Sequence, residues 1–277
     1  MTAETRTRIR YGSLVAAAVL LILFLAPIPF VYVTCAVVAC FAWHEFTQMS
    51  KLDEYSSLYW SQFFLLPLCM FLEIFLKTSS YFTLLLVIVL GFSLLVYEFL
   101  KRRNSHLKPL SVDRLWTLLS YYVLGFFYIF FLYGFITPVA RHPGGRLLVL
   151  AVFLMVFGCD IGAYAIGRRF GKRKIWPGLS PSKTLEGALG GVGASLLAGL
   201  LVYPLIYYYS PQKYSFLFII IVALLAGPLA QAGDLFESVL KRSFGVKDSG
   251  KLIPGHGGIL DRTDSLVFVF PLIYFLL

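Results

Sequence analysis

The residues most suited to chemistry lie in one stretch near the end of the chain, "GDLFESVLKRSFGVKDSGKLIPGHGGILDRTDS", residues 233–265. Asp234, Glu237, Ser238 and Lys241 fall at i, i+3, i+4 and i+7, which is one face of a helix. Glu237 and Lys241 alone would be an ordinary i,i+4 pair on a solvated helix end, but such a pair does not require Asp234 one turn deeper. The turn Pro254-Gly-His256-Gly-Gly258 follows, where small residues let backbone approach a ligand closely. "LDRTD" then sets Asp261 and Asp264 three apart. Magnesium is usually held by one or two carboxylates together with phosphate oxygens. Asp234 and Asp261, 27 residues apart on either side of the turn, are placed to fold back onto one ion. Lys241, Arg242, Lys247, Lys251 and Arg262 suit phosphate charge. Carboxylates, cations and a glycine turn together indicate phosphate handling. Neither GxxxxGK[ST] nor GxGxxG after a strand is present, so a nucleotide site here is not of the common soluble designs.

The elements that position these residues follow from composition. With 59% hydrophobic, 17% aromatic and 14% charged residues and a mean hydropathy of +0.81, the chain lies outside the soluble globular range. It reads as an all-α polytopic integral membrane protein, because a crossing helix bonds all its own backbone groups. About nine transmembrane helices are expected, near 11–27, 28–46, 59–76, 80–99, 115–136, 147–168, 186–208, 214–233 and 263–277, the last being short for a bilayer. Residues 1–145 form an N-terminal transmembrane region of about five spans. Residues 146–277 form a catalytic transmembrane region with two charged cytoplasmic loops, 168–186 and 234–264. On this count 20 of the 24 Lys and Arg residues share one side, which places the N-terminus in the cytoplasm and opens the polar active-site cavity to that side. The net charge of +10 then reflects topology and anionic lipid headgroups, and no nucleic-acid partner is expected. The first span also resembles a signal peptide, yet without a clean small-x-small cleavage site it reads as a retained helix. Cys35, Cys40, Cys69 and Cys159 fall inside spans without metal-type spacing and read as buried thiols.

Ionisable groups inside a span are expensive and usually face protein interior. Glu45, Glu73 and Glu98 lie near span ends, where water is in reach, and are the weaker candidates. Asp160, Tyr164 and Arg168 recur every four residues on one face that leads out to the basic loop; a helix-to-helix contact and a site role fit Asp160 equally well.

The run Ser238-Val-Leu-Lys241-Arg242, then Lys247-Asp248-x-Gly250, then Pro254-x-His256-Gly257-Gly258-x-x-Asp261-Arg262-Thr263-Asp264 resembles the signature of the phosphatidate cytidylyltransferases, the CDP-diacylglycerol synthases. "DIGAYAIGRRFGK", from Asp160, and "SPSKTLEG", from Ser180, resemble segments of that family in the same order. The resemblance implies a membrane enzyme that condenses CTP with phosphatidic acid, with magnesium required and a second cation allowed. It implies metal binding by Asp234 and Asp261, and catalytic roles for Lys241, Arg242, His256 and Asp264. Ser180, Lys183, Thr184, Ser238, Lys247, Asp248 and Arg262 would bind substrate. Membrane lipids are further partners, a homodimer is an allowed assembly, and the bacterial inner membrane is the expected location. Two alternatives are a cytidylyltransferase for another lipid phosphate and an anion transporter; against the transporter stand the lack of internal repeats and the concentration of charge on one side.

Overall fold

The computed structural model of the protein describes residues 14, 17–76, 80–103, 110–250, 252 and 257–277. His256, Lys251 and the side chain of Glu73 lie outside the described residues. After a helical stretch over 17–25 come α1 (Ile28–Ser50), α2 (Ser56–Leu76), α3 (Ser80–Arg103), α4 (Val112–Tyr133) and the short α5 (Ile136–Arg141). Then follow α6 (Gly145–Phe170), strands β1 (Lys174–Trp176) and β2 (Ser180–Thr184), α7 (Leu185–Tyr209) and α8 (Phe216–Ser243). The described chain finishes with α9 (Leu260–Thr263), a 3₁₀ turn at Asp264–Leu266, and α10 (Val269–Leu276). Among the described residues, five helical stretches are long and apolar enough to cross a membrane: Ile28–Ser50, Val112–Arg141, Gly145–Phe170, Leu185–Tyr209 and Phe216–Ser243. α2 and α3 run over two more of the expected spans.

Three of these expectations gain detail. Within the loop at 168–186, α6 continues to Phe170, and an antiparallel hairpin pairs Lys174 with Thr184 and Trp176 with Ser180, so the described residues are helical with one two-stranded ribbon. Glu186 closes the mouth of this hairpin, its Oε2 accepting the Lys172 and Arg173 N–H groups at 2.9 and 3.1 Å. The loop at 234–264 begins as helix, because α8 runs ten residues beyond its expected end and carries Asp234, Glu237, Ser238, Lys241 and Arg242 on its last turns. The ninth span is broken. α10 has eight residues, about 12 Å at 1.5 Å per residue, and the turn before it packs its Asp264 carbonyl against Gly233 of α8, where a Cβ would collide.

Packing joins both halves of the chain. Trp43 and Phe46 of α1, Tyr122 and Phe126 of α4, Val152 and Met155 of α6, and Phe270 of α10 belong to one buried apolar cluster. Trp43 stacks on Phe46 with ring centroids 5.9 Å apart, over Gly125 of α4. A Cβ at Gly125 would sit 2.5 Å from Phe46 and 2.8 Å from Trp43. Gly125→Val is therefore expected to destabilise the fold by about 1–3 kcal/mol through overpacking. A thermal midpoint in detergent unchanged within error would show that the rings can yield.

α6 and α7 meet along a seam of small residues. A Cβ on Gly162 would strike Ala194 and come 2.9 Å from the Gly190 carbonyl; one on Gly190 would come 2.6 Å from Ile166; one on Gly187 would come 2.8 Å from the Ala163 carbonyl. In a bilayer, where lipid tails are as apolar as leucine, this close backbone approach is a main source of helix–helix affinity.

Candidate active site

α8 brings the chemistry to the place where three segments meet: its own C-terminal turns, the end of the β2 strand, and the α9 turn that follows the glycine-rich segment. Asp234 faces β2, and Lys183 Nζ contacts its Oδ2 at 2.8 Å. One helical turn on, Glu237 is wholly buried and receives Lys241 at 3.0 Å. The same Lys241 ammonium reaches Asp261 Oδ1 at 2.7 Å. Lys241 therefore spans two carboxylates, one on its own helix and one on α9. Asp261 Oδ2 accepts the backbone N–H groups of Ser249 and Gly258 at 3.0 and 2.9 Å. Burial pushes the Asp261 carboxyl up, but Lys241 and these two N–H groups outweigh it and hold the carboxyl below the usual range. Gly257 has φ +84°, and a Cβ there would meet Asp261 Oδ2 at 2.8 Å, so glycine is required both for the turn and for the carboxylate's approach.

Asp264 is buried beside Glu237 and takes the Ser265 N–H at 2.8 Å. Asp160, on α6, stands within electrostatic reach of Asp264, Asp234 and Lys183. The cluster thus brings five carboxylates among the described residues, Asp160, Asp234, Glu237, Asp261 and Asp264, together with the ammonium groups of Lys183 and Lys241. Among the described residues no three His, Cys, Asp or Glu side chains converge as a ready-made metal cage.

The other residues expected at the site are distributed as follows. Ser238 is half-buried on α8, one turn beyond Asp234. Arg242, Lys247, Asp248 and Arg262 are exposed around the cluster, and Arg242 Nη1 donates to the Val246 carbonyl at 3.4 Å. Ser180 opens β2 at the far end from Lys183. Thr184 is buried and caps α7, its Oγ1 accepting the Gly187 N–H at 3.2 Å. On this geometry Thr184→Val should cost about 0.5–2 kcal/mol of stability as a lost helix cap with kcat within twofold of wild type. Lys183→Ala should lower kcat at least tenfold, because it removes the counter-charge of Asp234. A rise in KM for lipid with kcat intact would instead reduce Lys183 to headgroup capture.

Three contributors carried little or no signal in the sequence. Gln231 Nε2 donates to the Ala188 carbonyl at 3.0 Å and to Cys159 Sγ at 3.4 Å, tying α8 to α7 and α6 one turn before Asp234. Tyr128 is buried with its ring 5.5 Å from Phe236 and within electrostatic reach of Glu237 and Asp264. Glu45, on α1, is 4% exposed, and its carboxylate accepts Ser249 Oγ, the Ile259 N–H and the Leu260 N–H at 3.0, 2.8 and 3.0 Å.

Membrane-type helices that deliver lysines and a surplus of carboxylates to a glycine turn at one end define a class: a membrane enzyme working on phosphorylated substrates. The chain belongs to the cytidylyltransferase family, whose model matches residues 6–277. It is 38% identical over 193 residues, 69% of this chain and 68% of the relative, to the phosphatidate cytidylyltransferase of Staphylococcus haemolyticus. The enzymes of the same name from Staphylococcus epidermidis and Staphylococcus aureus are 39% identical over 193 residues and 38% over 191, again covering 69% of this chain and 68% of theirs.

Proposed function

We infer that the protein is a phosphatidate cytidylyltransferase, which joins CTP and phosphatidic acid to give CDP-diacylglycerol and pyrophosphate in phospholipid biosynthesis. The observation that carries this reading is the charged cluster at the end of α8, with two lysines among five carboxylates beside a glycine turn. A phosphatidate oxygen attacks the α-phosphorus of CTP; the new P–O bond forms as the bond to pyrophosphate breaks and its electron pair leaves with that group. Such a transfer depends mainly on positioning and charge neutralisation. Lys183 and Lys241 are the inner cations for phosphate, with Arg242, Lys247 and Arg262 around them. Ser180, Ser238 and Asp248 complete the substrate surface, and His256 is proposed as a phosphate donor or base from the glycine turn. Magnesium, when bound, would neutralise triphosphate charge; Asp234 and Asp261 are its proposed ligands, with Asp160 and Asp264 beside them, and a second cation is allowed.

The protein is proposed to lie in the bacterial inner membrane with this site facing the cytoplasm. Radiolabelled CTP mixed with purified protein, phosphatidate and magnesium should yield a lipid-soluble cytidine product. Activity only with another lipid phosphate would move the substrate assignment, and no lipid product with any of them would remove the enzyme reading. Orientation has its own check: in sealed cells, a cysteine placed at Lys172 should resist a membrane-impermeant thiol reagent that labels one placed at Arg141. The opposite pattern would invert the topology.

A further inference from the structure

We propose that Glu45 is a positioning residue of the transfer reaction, holding the glycine-rich signature segment against α1 so that Ser249 and Asp261 are set for Lys241. Glu45 belongs to a helix far from the site in sequence; its partners lie 204 to 215 residues further on. All three are on the two flanks of the glycine turn: Ser249 before it, Ile259 and Leu260 after it. Ser249 is the shared link. Its Oγ donates to Glu45, its N–H donates to Asp261 Oδ2, and its Oγ accepts the Asp261 N–H at 3.4 Å. Glu45 thus fixes Ser249, and Ser249 fixes the carboxylate that Lys241 grips at 2.7 Å.

Two glycines of the signature are explained by the same carboxylate. A Cβ at Gly250 would come 2.7 Å from Glu45 Oε1, and one at Gly258 would strike first Ser249 Oγ, which Glu45 holds, and then Glu45 Oε2. The turn is therefore glycine-rich partly to let backbone close around an α1 side chain, beyond any demand from a ligand. Both Glu45 oxygens face donors: Oε1 receives Ile259 N–H, and Oε2 receives Ser249 Oγ and Leu260 N–H. An amide in this place must turn its NH₂ toward a donor, whichever way it flips.

Glu45→Gln tests this. Hydrogen–deuterium exchange on the variant in detergent should quicken at least tenfold over 257–262 and leave α6 and α7 as in wild type, while kcat falls at least tenfold and KM for CTP changes less. The kinetic arm rests on the cytidylyl transfer assigned above; the exchange arm does not, so the two can fail separately. Unchanged exchange over 257–262, or faster local exchange with kcat within twofold, overturns the proposal. Should Glu45→Gln not fold, Ser249→Ala removes one donor and leaves the carboxylate's other two bonds. It should show the same local exchange and a kcat at least fivefold down, and wild-type kcat in that variant also overturns the proposal.

Discussion

Asp234→Asn is expected to leave about a hundredth or less of wild-type turnover, a barrier increase of about 2.7 kcal/mol or more, in a protein that still folds in detergent. The amide keeps the size of the side chain but loses the charge that Lys183 contacts at 2.8 Å and that faces Asp160 and Asp264. Asp234 is also more than a third exposed at the cluster, so the amide stays within reach of water; it does leave the buried Lys183 ammonium without this counter-charge, and the fold should survive at a lowered thermal midpoint. The measurement is initial rate of cytidylyl-lipid formation against magnesium concentration. Activity above about a tenth of wild type, a change below roughly 1.4 kcal/mol, would remove Asp234 from the proposed metal set.

Lys241→Met should damage both fold and reaction. Lys241 stands between Glu237, which is wholly buried, and Asp261, which is 10% exposed, and methionine offers neither a cation. Removing one partner of a buried ion pair costs about 3–5 kcal/mol, because the remaining charge stays buried without compensation. The thermal midpoint should therefore fall steeply and turnover should be lost. The double variant Lys241→Met with Glu237→Leu separates the two effects, since an apolar pair of similar volume is often as stable as the ion pair it replaces. Partial recovery of the midpoint, since Asp261 still lacks the cation it held at 2.7 Å, without recovery of turnover is the expected result. Turnover close to wild type in either variant would exclude Lys241 from the phosphate machinery.

The sequence conveyed those parts of the site that are local. Asp234, Glu237 and Lys241 were legible as one helix face because their spacing follows the helical period, and the structure keeps them on α8 with Lys241 joined to Glu237. The α8 face could be seen, but its extent could not: apolar patterning ends near Gly233, while the helix continues through charged residues to Ser243. The hairpin at Lys174–Thr184 was hidden because its strand formers, Ile175 and Trp176, are only two in a row, and the lysine, serine, proline and glycine around them carry little strand signal. The break before α10 was hidden for the opposite reason, since an apolar run gives no hint that the turn ahead of it must dock on Gly233. Glu45 shows the deepest limit. Its partners include two backbone N–H groups, which every residue but proline possesses, so nothing in the side-chain order marks them as the ones it meets.

The glycine seam between α6 and α7 has a consequence for how variants of this protein would be interpreted. Asp160 lies two residues from Gly162, and Lys183 lies four residues ahead of Gly187, on opposite walls of the same joint. A larger side chain in the joint acts as a shim: it widens the gap between the helices, and the walls carry Asp160 and Lys183 apart with it. In a random screen, a Gly162→Val clone would be sorted with the loss of a charged group, although no charge was touched. Inactive clones at seam glycines thus report a tolerance in ångströms, and a map of essential residues drawn from such a screen would extend well beyond the atoms that meet the substrate.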